Sequence, residues 1–408
     1  MNSKVLRSAI YLFTFIFGSF AFYWVFGQIL PVSLVTTEVT VDEKTNEASR
    51  PSTGYIVFEG PKTEVCPLNG EKFSVEAKNI WSTRRPLLVM IENHADSRPQ
   101  SGLMNADVVY EAVAEGGITR FMGVFYCNAT QTATNKYDVG PVRSARTYFL
   151  DLASEYSDYP LYTHVGGANC SAAVSGGPCT TNKKAMAIEQ IAQYGWNNKG
   201  TWGDLSQFSL SYKACRREPD RVGENKATEH TMYCSTSELW NIAASRGLTN
   251  MTEINKTSWD KSFRSWNFKA DDKSLGGATS ISFDFWGDKA YAVTWKYDPN
   301  TNRYLRSNGG ADVIDFNNQQ IISTKNLVIQ FAKESRSIDE HLHNLYAVVG
   351  SGDALVFSNG QKQEVTWSKA TRQSRTIFKD KSGKEVNFVP GQIWIEILPT
   401  GNKISYEG

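Results

Sequence analysis

No charge of one sign dominates this chain: 43 Lys and Arg stand against 42 Asp and Glu in 408 residues, a formal net charge of +1. That balance withholds the broad positive field needed to neutralise a phosphate backbone, so nucleic acid is not an expected partner. Histidine is scarce, with five residues, and there is no Cys-x-x-Cys pair, so no metal is expected. Gly-x-Ser-x-Gly, His-Glu-x-x-His and the Walker loop are all missing, which removes the hydrolase, zinc-protease and nucleotide-binding readings that depend on them. No cofactor is expected either. The chain does have aromatic residues in quantity, 11 Trp, 18 Tyr and 21 Phe, a composition that builds cores and does not suit a disordered polymer.

One long stretch is both free of charge and strongly apolar. Ala9 to Leu30 runs for 22 residues, about 33 Å as a helix, enough for the hydrocarbon core of a bilayer. Lys4 and Arg7 precede it, and Glu38, Asp42 and Glu43 come before the next cation, Lys44. The positive-inside rule therefore predicts a cytoplasmic N-terminus (1–8), a single transmembrane helix (9–30), an extracytoplasmic linker (31–63) and a soluble body outside the cytoplasm. A cleaved signal peptide ending at Ser19-Phe20-Ala21 is the rival reading. The apolar run that continues through Phe22-Tyr23-Trp24-Val25-Phe26 counts against it. All six cysteines lie beyond the anchor, where disulfides form. Proximity in sequence suggests Cys170 with Cys179 and Cys215 with Cys234, although six cysteines permit about fifteen pairings.

The body divides by pattern into an α+β arrangement. Residues 64–257 alternate short apolar runs, Leu87 to Ile91 and Phe121 to Tyr126, with helical spacing near Arg146 to Tyr156, Lys183 to Tyr194 and Ser237 to Ser245. Ser235 and Glu238 form a capping-box pattern before the last of these. This predicts an N-terminal mixed α/β domain. Residues 258–408 carry period-two runs at Ile281 to Trp286, Tyr291 to Tyr297, Leu327 to Phe331, Leu345 to Val349, Ala354 to Phe357 and Gln392 to Ile397, which predict a mostly antiparallel, β-rich C-terminal domain. Asn359-Gly360 signals a hairpin within it.

Polar motifs concentrate between Ile91 and Gly167. Arg98, Arg120, Arg143 and Arg146, with Ser144, offer planar forks and a hydroxyl suited to a carboxylate or phosphate, and are the expected ligand-binding residues. Gly140-Pro141 is expected to turn the chain into a helix whose face Arg143 and Arg146 would share. The structural alternative has these arginines paired with Asp107, Glu111, Glu115 and Asp151. No catalytic residue is expected. An enzyme, if present, would use Glu92 or Glu115 as acid or base, with His94 beside them. His164 is a second isolated candidate base, and His341-Leu342-His343 would place two imidazoles on one strand face without a third ligand.

The same residues resemble the YerB-like family of bacterial envelope proteins. The resemblance rests on Ile91-Glu92-Asn93-His94, Arg98-Pro99-Gln100-Ser101-Gly102-Leu103, Ala106-Asp107-Val108-Val109-Tyr110-Glu111, Glu115-Gly116-Gly117-Ile118-Thr119-Arg120 and Gly140-Pro141-Val142-Arg143-Ser144-Ala145-Arg146. It continues through Lys325-Asn326-Leu327-Val328, Gly350-Ser351-Gly352 and Pro390-Gly391-Gln392-Ile393-Trp394-Ile395-Glu396. The resemblance implies a two-domain body of unknown activity in the bacterial envelope, with peptidoglycan fragments or envelope proteins as partners. Members of that family are typically lipoproteins. No cysteine precedes Cys66 here, so the apolar segment would replace the lipid. A binding protein is thus the first expectation; an unrecognised hydrolase of an envelope substrate and a scaffolding module are the alternatives.

Overall fold

The runs Leu87–Glu92 (β1), Val108–Glu115 (β2) and Ile118–Phe125 (β3) are rich in branched and aromatic side chains and are buried along almost their whole length. Continuous burial, without polar alternation, is what a strand in the middle of a sheet covered on both faces requires. In the computed structural model, which describes residues 56, 58–132, 137–170, 179–223, 225–252, 256–272 and 277–407, all three lie inside one ten-stranded sheet. The segments assigned to the cytoplasmic N-terminus and the transmembrane helix lie outside the described residues, as does most of the linker. Among the described residues no helix is long and apolar enough to cross a membrane.

The other strands of the sheet are Leu161–His164 (β4), Asp204–Ser206 (β5), Asn326–Ala332 (β6), Gly350–Ser358 (β7), Gln361–Lys369 (β8), Ile377–Lys379 (β9) and Ile393–Pro399 (β10). Their order is β9-β8-β7-β6-β10-β2-β3-β1-β4-β5. Five strands come from each half of the sequence, and the halves meet where β10 runs parallel to β2, with Ile393 opposite Val108 and Glu396 opposite Glu111. The backbone hydrogen bonds of one sheet therefore cross from one half to the other. The C-terminal half is antiparallel, as its alternation predicts, except that β10 also runs parallel to β6. Asn359 and Gly360, both at positive φ (54° and 70°), close the β7–β8 hairpin in the geometry that Asn-Gly favours.

A second, antiparallel sheet from Ser280–Phe283, Val293–Asp298, Arg303–Asn308 and Ile404–Glu407 contributes to the core over this seam. Trp295 of that sheet meets Trp394 of β10 edge-on at 5.2 Å. The longest described helices are Val75–Trp81 (α1), Thr147–Ala153 (α2), Ala187–Gln193 (α3) and Thr236–Ser245 (α4). Ser235 caps α4 by accepting from the Glu238 amide, as the sequence pattern predicts. Three disulfides, Cys66–Cys127, Cys170–Cys179 and Cys215–Cys234, use all six cysteines.

Three local expectations need correction. The run Leu345 to Val349 is a strand only at Leu345–Tyr346. Residues 341–343 form a turn with Leu342 at φ 58°, not a strand, because Asp339 gathers the chain by accepting from the His341 and His343 amides. Arg143 and Arg146 share no helix face: α2 starts only at Thr147, and Arg146 caps it in extended conformation (φ −136°, ψ 144°). Arg143 is held in bridge-like pairing instead, its amide donating to Met90 O and its carbonyl accepting from Val165 N.

Candidate functional site

Gly116 and Gly117, both at positive φ (56° and 87°), make the tight turn between β2 and β3 and leave Glu115 at its rim. Arg120 lies on β3, directly opposite Glu92 of β1, and Arg146 arrives at the start of α2. The two guanidinium groups converge on Glu115. Arg120 takes one carboxylate oxygen through Nη2, and Arg146 donates to the other from Nε at 3.0 Å. Burial pushes the Glu115 carboxyl up, but the two arginine charges outweigh it and hold the pKa at about 2. Burial, with Arg146 alongside, lowers Arg120 to about 10. Glu115 is thus an ionised acceptor with both oxygens occupied, a poor proton carrier near neutral pH.

Glu115 and Arg146 form one wall of an open cleft of about 460 Å³, together with Ser144. Asn169, Thr180, His341 and His343 also line it, His343 bridge-paired to Glu115 itself. Burial lowers the His343 pKa below its ordinary 6.5, so its ring is neutral at pH 7 and adds no charge. Its Nδ1 lies 2.8 Å from Asp339. The carboxylate of Asp339 is further occupied by the backbone N–H groups of Asn182, His341 and His343. At the wall itself two guanidinium groups face one carboxylate.

Arg143 turns away from this cleft. Its Nε donates to Glu92 Oε1 at 3.0 Å, and the other oxygen, Oε2, lies 2.9 Å from His230 Nδ1. His230 stacks on His94 with ring centroids 4.8 Å apart. Arg98 joins neither group; it donates to the side chain and carbonyl of Asn93 and to Ala290 O. Of the five expected ligand-binding residues, the fold brings Arg146 and Ser144 to one cleft, buries Arg120 behind them against Glu115, places Arg143 beside Glu92, and uses Arg98 to lock a loop. Among the carboxylates weighed as structural partners, Glu115 does pair with arginines of the set. Asp107 instead accepts the backbone N–H groups of Tyr126, Cys127 and Asn128, Glu111 pairs with Arg306, and Asp151 accepts from Tyr194. Both ring nitrogens of His164 face oxygens, of Gly166 and Asp204, at 2.6 and 2.8 Å, so neither is open to a substrate.

His230 has no sequence signal of its own, since it lies 138 residues from the Glu92 it contacts. His343 and Asn169 reach the cleft by equally long routes.

One consequence of the Glu115 arrangement is testable. Its folded pKa, about 2, lies below the ordinary 4.5, so its contribution to stability is complete above about pH 4.5 and is lost as pH falls towards 2. That shift is worth at most about 3 kcal/mol. In urea titrations, Glu115→Gln should lower stability at pH 7 and flatten the acid slope between about pH 4.5 and 2. An unchanged slope would show that the two arginines do not hold this carboxyl down.

Profiles of the N-terminal and C-terminal domains of a protein of unknown function (DUF3048) match residues 73–249 and 281–395. Bacillus subtilis (strain 168) YerB, designated a lipoprotein, is 28% identical over 335 residues, covering 82% of this chain and 86% of its own length. The crystal structure of YerB from Bacillus subtilis superposes with a TM-score of 0.63 at 25% identity, over 84% of this chain and all of that one. The first profile contains β1 to β5 and the second β6 to β9 with the start of β10, so the seam of the large sheet joins the two matched regions. The chain belongs to the two-domain YerB-like family, DUF3048, whose function is unknown.

Proposed function

We propose that this is a single-pass envelope protein, anchored through residues 9–30, whose body outside the cytoplasm binds an anionic group in the cleft at Glu115, Ser144 and Arg146. The lipoprotein designation of YerB supports the compartment, and three disulfides suit an oxidising one. The observation that carries the binding reading is the charge at the wall: two buried guanidinium groups share one carboxylate beside a cleft whose other polar lining is hydroxyl, amide and imidazole groups. A carboxylate or phosphate of a cell-wall fragment, or an acidic side chain of an envelope protein, matches that lining. A hydrolase acting through Glu115 is less well supported, because that carboxylate is spent on the arginines.

A thermal-shift screen of the full chain against muropeptides, lipid-linked wall precursors and inorganic anions tests the proposal. A ligand at a hundredfold excess over its Kd adds about 2.7 kcal/mol and raises Tm by several degrees. Arg146→Lys, which keeps the charge but loses the fork, and Ser144→Ala should each reduce the shift. No shift with any of these ligands, or equal shifts in both variants, would refute the cleft as the binding site.

A further inference from the structure

A second polar cluster lies outside the cleft, on the far side of Glu92. His94 opens the short turn Ala95–Ser97, and its Nδ1 lies 3.6 Å from a carboxylate oxygen of Asp96. His230 ends another short turn, Thr228–His230, and lays its ring on that of His94 at 4.8 Å with an interplanar angle of 15°. One ligand atom from each of His94, Asp96 and His230 lies within 4.8 Å of the other two.

Around a tetrahedral ion with metal–nitrogen bonds of about 2.0–2.1 Å, neighbouring ligand atoms stand about 3.3 Å apart. The His94–Asp96 separation is already near that value. The other spacings are at most 4.8 Å, and the Asp96 carboxylate, with a side-chain exposure of 74%, has room to turn inward and shorten its own. His94 Nδ1 at present accepts a long bond from the Asp96 amide, 3.2 Å, which an ion would replace.

The support behind the cluster has the same logic. Glu92 Oε2 accepts from His230 Nδ1, which fixes the tautomer and leaves the Nε2 lone pair free; a carboxylate behind an imidazole commonly does this for a metal-binding histidine. Arg143 is tied to the other oxygen of Glu92, and Glu229 stands beside His230 as an exposed carboxylate. Asp96 and Glu92 together thus outweigh Arg143.

We propose that His94, Asp96 and His230 bind a divalent transition cation of the zinc class, with Glu92 orienting His230. Three protein ligands at a half-exposed surface leave a fourth position for water or an exogenous ligand. The imidazole and carboxylate donors suit zinc, and they disfavour calcium or magnesium, which prefer all-oxygen sites. The site is independent of the cleft at Arg146.

The test is a metal titration of the full chain after chelator treatment and dialysis. Zn2+ is followed by calorimetry and Co2+ by the visible absorption of its four-coordinate complex. One equivalent of each should bind. His94→Gln and Asp96→Asn, both on the exposed rim where folding is least at risk, should weaken binding about 100-fold or more. Glu92→Gln, acting through His230, should weaken it by about 10- to 100-fold. Arg146→Lys should bind metal like the wild type while showing a reduced anion-induced thermal shift, so failure of the cleft reading and failure of this one are distinguishable. Absence of saturable Zn2+ and Co2+ binding, or affinity unchanged in both His94→Gln and Asp96→Asn, would overturn the assignment.

Discussion

Replacing Arg306 with methionine is expected to cost the fold about 3–5 kcal/mol, the usual penalty for stranding a buried charge. Arg306, Glu111 and Glu396 have fully buried side chains at the seam between β10 and β2, where the two carboxylates stand opposite one another. Arg306 donates to Glu396 Oε1 through Nη1 at 2.7 Å and pairs with Glu111 through Nη2 at 2.7 Å. Trp295, Trp394 and Phe121 surround the guanidinium at 5.1–5.5 Å. One cation cannot compensate two carboxylates in such a place. Burial, and next the charge of Glu111, push the Glu396 carboxyl well above its ordinary range, favouring its neutral form. Without Arg306 the Glu111 charge stays buried with no cation beside it, held by hydrogen bonds from Thr119, Asn93 and the Glu396 carboxyl. A fall in urea midpoint at unchanged m value would report this, and Arg306→Met/Glu111→Gln should recover much of the loss. Because the group is dry, added salt should not rescue the single variant. A cost below about 1 kcal/mol would mean that water reaches the seam.

A comparable loss, again about 3–5 kcal/mol, is expected for Glu155→Gln, here because two cations lose their anion. Glu155 follows α2 in the first matched domain. Its partners Lys369, Arg375 and Thr376 all come from the second. Lys369 Nζ donates to Oε1 and Arg375 Nη1 to Oε2, each at 2.9 Å, in an environment where Lys369, Glu155 and Arg375 are all buried. Burial already lowers the Lys369 pKa, and Glu155 opposes that shift. In Glu155→Gln the lysine is therefore expected to lose its proton more readily, while Arg375 stays charged against Trp266, 3.3 Å from its ring centroid. Stability of the variant should then rise relative to wild type as pH increases towards the lysine range, a crossing trend that a simple packing defect would not give. A parallel pair of stability curves would contradict the assignment.

Both networks join residues far apart in sequence, and that is where sequence reading reached its limit. The strands β1 and β3, the hairpin at Asn359-Gly360 and the cap at Ser235 were legible because each is decided by neighbours within a few residues: branched runs, turn chemistry, a side chain reaching its own backbone. Val108–Glu115 was not, although it is the strand on the seam. Its apolar residues are broken by Glu111, whose partners lie at Thr119 and Arg306, so nothing local identifies it as a core strand. The motif Glu92-Asn93-His94 shows the same division. The sequence marked it as polar and worth attention, but only the fold sends Glu92 to Arg143 and His230, Asn93 to the seam beside Glu111, and His94 to the rim.

By itself the sequence determined the local chemistry: an uncharged segment long enough for a bilayer, two halves of different periodicity, a set of arginines able to hold an anion, and membership signals of one family. Tertiary structure alone decided which arginines act together. The two at 120 and 146 meet through Glu115 because a two-glycine turn and the start of a helix place them there, whereas Arg143, three residues from Arg146, is drawn to the opposite side by backbone pairing with Met90 and by Glu92. Spacing along a chain predicts neighbours only within a regular element. In extended segments a side chain's partners are fixed by long-range strand pairing, which no local pattern encodes.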